Sequence, residues 1–489
     1  MQRRLFCPIL FLCTILLALH APVAVAQPLQ VGMAEAEITP PTGFPMAGYY
    51  HERLAEGRLD PLKAKAIVFR QRDTAAAFVV VDLTGIARDL YVAIREAASA
   101  ATGIPQDHIV VSATHSHTAP DYTKHLYQHL AGAAGDSAPD VYPQQLINGC
   151  VDAIIRANRS AEPAEIATGS GQQQIPVAFN RRFVMRDGSV RTWQNYRVAD
   201  VVRAAGPTDP EIGLLAIRTA DGQPRGFLSS FALHLDTVGG KRWSADYPYF
   251  IEQRLRKEFG DSVISVFGTG CCGDINHSDP NRKERNKTDF IGRALADTIV
   301  AAVPDLRVVS APELQVRSVT VSLPMQQVTS QELERAEELI PIARAGGSVD
   351  FFDLVSAYKA VVLDQLQASE PRAGSEDLLS WGLSHAWRGI GRTLPAEVTT
   401  ITIGSDAAIV FLPGEVFVEL GLAIKQGSPY RTTLVIELSN CVETMYIPTR
   451  AAYAGGSYEV TNSALQPGSG EMLVEAALRL LRESASSAD

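Results

Sequence analysis

The stretch Val110-Val111-Ser112-Ala113-Thr114-His115-Ser116-His117-Thr118-Ala119-Pro120 constrains the fold more than any other. Ile109 to Val111 is an apolar run of buried-strand length, and it stops in small residues and two histidines. In α/β proteins the carboxyl ends of strands line the crevice where ligands bind. His115 and His117 are two apart, so a continuing strand would turn both to one face. Other apolar runs stop in the same way, at His234, at Asp274 and, just past Leu412, at Glu415. Two imidazoles and a carboxylate are a familiar zinc set that leaves a position open for water. A metal there would draw the water's pKa towards 7 and polarise a substrate oxygen.

The chain around these ends alternates strand and helix signals. Strand expectations fall at Val31–Thr39, 66–69, 77–81, 166–169, 177–179, 214–217, 226–233, 263–267, 397–403, 407–412 and 434–438. The Asp221-Gly222 pair between two of these marks a hairpin. Helical spacing covers 90–101, 143–158, 249–259, 288–302 (with Thr288 as N-cap), 416–424 and 471–483. Residues 118–138 have the composition of a loop. Residues 330–392 differ in texture: Ser330 stands as an N-cap before Glu332, and 351–366 and 378–387 keep helical spacing. The expectation is an α/β fold of mixed sheets flanked by helices, a single catalytic domain over 27–483 with a helical insertion at 330–392. Residues 484–489 are expected to form a disordered tail.

Composition narrows the function. A formal charge of −10 and the lack of a polybasic run exclude a non-specific nucleic-acid binder. Arg3 and Arg4, the apolar run Leu5 to Leu19 and Ala24-Val25-Ala26 form a secretory signal over 1–26, so the mature chain is expected to be secreted or periplasmic, with no transmembrane span. Cys150, Cys271, Cys272 and Cys441 then remain, too few for a disulfide scaffold; small packing residues are their expected role.

Three other motifs compete. His125 and His129 are four apart but lack the adjacent glutamate of a helical zinc motif. Gly268-x-Gly270-x-x-Gly273 follows a strand, yet Asp274-Ile275-Asn276-His277-Ser278 does not open the helix that dinucleotide binding requires. Trp243, Tyr247 and Tyr249 could wall a polar or sugar-derived substrate, although core packing is their default.

Five short motifs in order resemble the neutral, non-lysosomal ceramidase family. Thr114-His115-Ser116-His117-Thr118-Ala119-Pro120 is similar to its Thr-His-Thr-His-Ser-Gly-Pro, Phe179-Asn180-Arg181-Arg182 to its Asn-Arg-Ser stretch, and Phe231-Ala232-Leu233-His234 to its Phe-Ala-x-His. Pro413-Gly414-Glu415 matches Pro-Gly-Glu, and Leu438-Ser439-Asn440, Tyr446-Ile447-Pro448-Thr449 and Tyr458-Glu459 look like its closing elements. The resemblance implies an exported zinc amidase of sphingolipid-type substrates, with His115, His234, Glu415 and Tyr446 as ligands of Zn2+. It places His117 and Arg181 beside the metal, the first to move a proton and the second to hold the developing oxyanion. Asp274 and Asn276 fall in its Gly-Asp-Val-Ser-Pro-Asn element, where this chain has Gly273-Asp274-Ile275-Asn276-His277-Ser278. Asn276 thus replaces the family's catalytic serine, and its amide can hydrogen-bond but not attack. The family's C-terminal β-sandwich is expected to have no counterpart here. The expected substrate is a small molecule or lipid bearing an amide. The alternatives are a zinc hydrolase of another bond or of a polar substrate, and a non-catalytic ligand-binding homologue.

Overall fold

The computed structural model describes residues 27–486, apart from 133, 371, 373–386 and 442. The expected signal segment, most of the helix expected at 378–387 and residues 487–489 lie outside the described residues.

Two sheets packed face to face form the centre. The larger runs Ile264–Thr269, Pro224–Phe231, Glu211–Thr219, Glu162–Gln172, Gln30–Glu37, Lys63–Gln71, Thr74–Val81, Ile109–Ala113 from edge to edge. Its neighbours are antiparallel except at the two ends, where Pro224–Phe231 lies parallel to Ile264–Thr269 and Thr74–Val81 parallel to Ile109–Ala113. The smaller sheet is Leu314–Pro324, Thr393–Ile403, Ala407–Phe411, Thr432–Ile436, with its last pair parallel. The Asp221-Gly222 hairpin forms as the dipeptide requires, Gly222 taking φ +85° between the antiparallel arms.

Burial explains the pairing of the sheets. Ile67, Phe78, Leu228 and Val266 of the large sheet meet Ile401, Ile409, Phe411 and Ile436 of the small one in a single buried cluster. Phe78 and Phe411 touch with ring centroids 4.7 Å apart. Gly268 permits this approach, because a Cβ there would stand 2.4 Å from Cδ1 of Ile436. Helices Arg88–Thr102 and Ala138–Arg159 cover the outer face of one half of the large sheet, and Tyr247–Phe259 and Thr288–Ala302 the other. Val418–Gly427 and Ser469–Ser486 cover the small sheet. The fold is therefore a mixed α/β architecture of two sheets between helices.

Several local expectations are corrected. Thr123–Leu130 is a helix, not part of a loop: Leu126 is buried and anchors its inner face. The helix Ser330–Arg344 is capped by Thr329 rather than Ser330, in a reciprocal box with Glu332. Lys287, not Thr288, occupies the cap position of Thr288–Ala302. The strand expected at 177–179 is the two-residue Phe179–Asn180. Ser484 to Ser486 continue the last helix rather than fraying, and buried Ser484 accepts from Arg317 Nε at 3.0 Å. All four described cysteines are free and buried. Among the described residues no helix is long and apolar enough to cross a membrane.

Candidate metal centre

The carboxyl ends of both sheets' parallel strands open on one crevice. The strand Ile109–Ala113 ends before His115, so alternation along a strand does not align the two histidines. A left-handed turn at His115 (φ +74°) does so instead, and the His115 and His117 Nε2 atoms lie 3.3 Å apart. His234 follows Phe231 at the end of its strand, and its Nε2 is 3.1 Å from that of His115. Glu415 and Tyr446 come from the small-sheet side, as partners in a two-residue parallel bridge that sets their side chains next to each other. Gly414 makes this bridge possible. It takes φ +64°, and a Cβ there would stand 2.1 Å from Thr444 Oγ1. Leu438, Asn440 and Met445 also adopt positive φ, so backbone strain gathers around this corner.

Hydrogen bonds fix the tautomers. His115 Nδ1 lies 2.6 Å from the Thr84 carbonyl, and His234 Nδ1 3.0 Å from that of Cys272. A carbonyl only accepts, so each Nδ1 carries the proton and each Nε2 turns a lone pair into the crevice. Glu415 Oε2 stands 3.4 Å from His115 Nε2 and 3.3 Å from His234 Nε2. These spacings suit a cation. Bonds of about 2.0–2.1 Å in a tetrahedron place the ligand atoms about 3.3 Å from one another. The imidazole atoms of His115, His117 and His234 all lie within 4.8 Å of each other.

Electrostatics agree with the geometry. Burial pushes the Glu415 carboxyl up, but His115 and His234 outweigh it and hold it well below the usual range. The same carboxylate raises His115 against the effect of burial, whereas burial, Arg181 and His115 together lower His234. Burial, with His115 next in weight, pushes His117 down to about 3, which leaves it a neutral base. Burial and the Glu415 charge raise Tyr446, and Arg181 opposes them.

Arg181 is buried, with one Nη1 hydrogen left over from its four contacts. Its Nε donates to Glu459 at 2.8 Å, its Nη2 donates to the Gly273 carbonyl at 2.8 Å and to Tyr446 Oη at 3.0 Å, and its Nη1 faces His234 Nε2 at 3.3 Å. Glu459 also holds Arg182 at 2.9 Å and is wholly buried. Sequence reasoning missed the role of Glu459; the only signal was its place beside Tyr458 in the Tyr-Glu element. Asp236 was missed as well. Its Oδ1 lies 3.0 Å from His277 Nδ1, and this pairing outweighs burial and holds the carboxyl far below its usual range.

The other expected residues are placed differently. Asp274 has both carboxylate oxygens occupied, by Asn180 Nδ2 at 2.7 Å and by the Val418 amide at 2.9 Å, which ties two loops together rather than facing the imidazoles. Asn276 is buried and lines a cavity together with Arg181, its Oδ1 taken by the Ser278 amide at 3.1 Å. Trp243 and Tyr247 are core residues, which removes them as substrate walls. His125 and His129 turn to Asp140 and Gln144, at 3.7 Å and 3.0 Å. Cys272 Sγ donates to Glu437 at 3.1 Å and lies 3.6 Å from His234 Nδ1, while the group of side chains that could hold a metal comprises the three imidazoles without either cysteine.

A cavity opens onto His115, His117, Glu415 and Tyr446 and is walled by Tyr49, Tyr50, Tyr122 and Tyr458. Fold and side chains together define a layered α/β protein with a buried imidazole–carboxylate centre whose histidines could hold a metal ion. The chain belongs to the neutral/alkaline non-lysosomal ceramidase family, whose N-terminal domain model matches residues 29–275. Among solved structures it is similar in fold to neutral ceramidase from Pseudomonas aeruginosa, at 18% identity and TM-score 0.68, covering 94% of this chain and 75% of that one. A ceramidase complexed with C2 is similar at 17% identity and TM-score 0.67, over 94% and 76% of the two chains. No curated protein sequence matches the chain.

Proposed function

We propose that this ceramidase-family hydrolase is an exported zinc enzyme that cleaves an N-acyl amide bond. The observation that carries the reading is the meeting of His115 Nε2, His234 Nε2 and Glu415 Oε2 at 3.1–3.4 Å, with both Nδ1 atoms committed to carbonyls. His115, His234, Glu415 and Tyr446 are the proposed ligands. Zinc, when bound, supplies Lewis acidity towards water and the amide oxygen. The neutral imidazole of His117 accepts the proton that water gives up as its oxygen bonds to the acyl carbon. The same ring returns a proton to the nitrogen as the C–N bond breaks, releasing a carboxylic acid and an amine. Arg181 Nη1, beside His234, is placed to donate to the oxygen that gains charge. Asn276 supplies no nucleophile, so attack falls to water.

The similarity to a ceramidase complexed with C2 supports an acyl-bearing small molecule or lipid as the class of substrate. Export rests on the basic, apolar and small-residue order of residues 1–26. Purified protein is expected to carry near-stoichiometric zinc and to hydrolyse an N-dodecanoyl amide. Protein with no zinc, whose His115→Ala and Glu415→Ala variants behave as the parent does, would end the reading. Export is checked by the N-terminus of protein recovered outside the cytoplasm, expected at Gln27.

A further inference from the structure

A second cavity is lined by Arg181, which does not border the tyrosine-walled one. Arg181, Arg197, Arg282, Lys283 and Arg285 line it against only two carboxylates, Asp279 and Glu284, in a chain whose formal charge is −10. Its buried end is made of hydrogen-bond donors. Asn276 is 6% exposed, and with its Oδ1 held by the Ser278 amide, its Nδ2 has no acceptor among the described residues. Arg181 is 3% exposed, and its Nη1 reaches His234 Nε2 at 3.3 Å, so this end of the cavity touches the metal centre. At the outer end Lys283 and Arg285 are exposed and form no ion pair among the described residues, whereas Arg282 sits 3.4 Å from Asp279. Trp193 stands on the dividing wall, 4.7 Å from the Tyr458 ring and 6.0 Å from the Arg181 guanidinium.

We propose that this cavity is an anion subsite: the amide that the protein cleaves carries an acceptor-rich anionic group, a carboxylate, sulfonate or phosphate, on the side of the scissile bond away from the tyrosine-walled cavity. The inference rests on the hydrolase reading for the bond and deepens it by naming the substrate's charge. The excess of cations over carboxylates around the cavity favours an anionic group over a neutral one. Here the Asn276 amide also gains a use, because its free Nδ2 can donate to such an acceptor. The concave shape and buried floor favour a small ligand over a membrane surface, which would meet a convex patch.

The test compares N-dodecanoyltaurine with N-dodecanoylethanolamine on the zinc-loaded protein and its Lys283→Gln/Arg285→Gln variant. The parent is expected to prefer the sulfonate in kcat/KM by about tenfold, the contribution of one charge-assisted hydrogen bond. In the double variant and at high salt the preference should fall towards unity. Calorimetry with taurine alone gives a readout independent of turnover. N-dodecanoylglutamate and an N-dodecanoyl phosphoethanolamine rank the anions. Equal turnover of the taurine and ethanolamine amides would overturn the subsite while leaving the hydrolase standing. Taurine binding that the double variant loses, with no amide cleaved by the parent, would uphold the subsite and remove the hydrolase reading. A double variant that loses only its binding to phosphatidylglycerol vesicles, with the preference intact, would make the basic rim a membrane contact and overturn the proposal.

Discussion

Residues 29–275 and the chain from 314 onward bring opposite chemistries to the same crevice. The first region, which the family model covers, supplies nitrogen: His115, His117, His234 and the Arg181 guanidinium. The second supplies oxygen: Glu415, Tyr446 and Glu459. The three imidazoles of the first region could hold a metal ion among themselves, and Glu415 from the second adds the negative charge that His115 and His234 face. The family model matches the nitrogen half alone, whereas the similar solved structures extend over both halves, and the negative charge of the centre comes from the oxygen half.

Removing one donor from each side is the strongest way to break this comparison. His234→Ala and Glu415→Ala are each expected to take zinc from near-stoichiometric to near none by elemental analysis, with hydrolysis falling by more than about 100-fold, beyond the usual cost of losing an outer partner. A variant of either half that kept full zinc would show the other half to suffice. Next in size is Glu459→Ala, which leaves Arg181 and Arg182 buried without their shared carboxylate. Destabilisation of about 3–5 kcal/mol is expected, measured as a lowered urea midpoint.

Tyr446→Phe and His117→Ala sharpen the boundary between the halves. If Tyr446 is the fourth ligand, its variant weakens zinc binding by about 10–100-fold and His117→Ala spares it while lowering kcat. The reverse pattern in a zinc competition titration would move the fourth ligand into the nitrogen half.

A smaller effect is expected from pH. Burial lifts the Asp82 carboxyl to about 7 in the first region, and Glu443 to about 7 in the second. Each folded-state carboxyl keeps a proton that the unfolded chain sheds above about pH 4, so stability falls as pH rises from about 4 to 7. Asp82→Asn should flatten that slope and gain on the parent between pH 5 and 8, as read by thermal melts across pH; an unchanged slope would place the burden on Glu443. The least effect belongs to His129→Ala, expected to shift stability by less than about 0.5 kcal/mol and zinc content not at all. A loss of zinc there would contradict its pairing with Gln144.

Local patterns were legible where one face of an element meets the core. Thr288–Ala302 has the expected bounds, and the arms around Asp221-Gly222 pair as antiparallel strands. The helix Thr123–Leu130 was hidden because only Leu126 and Thr123 are buried, too few apolar positions to register a period among its histidines. Ser484 was read as tail because nothing local reveals that Arg317 and Gln315, more than 160 residues earlier, hold it. At the site, the histidines and Glu415 stood out as polar ends of apolar runs. Tyr446 had no such signal beyond the family likeness, since its position depends on a bridge to Glu415.

By itself the sequence determined which chemistries are available and roughly where strands would release them, because strand and helix periodicity is written within about ten neighbouring residues. Tertiary structure decided which side chains meet. The left-handed turn at His115, the close approach at Gly268 and the bridge at Gly414 and Glu415 depend on contacts between distant segments. For the same reason Asp274 is turned into the scaffold and Asn276 onto a cationic cavity, although they sit two residues apart in the chain.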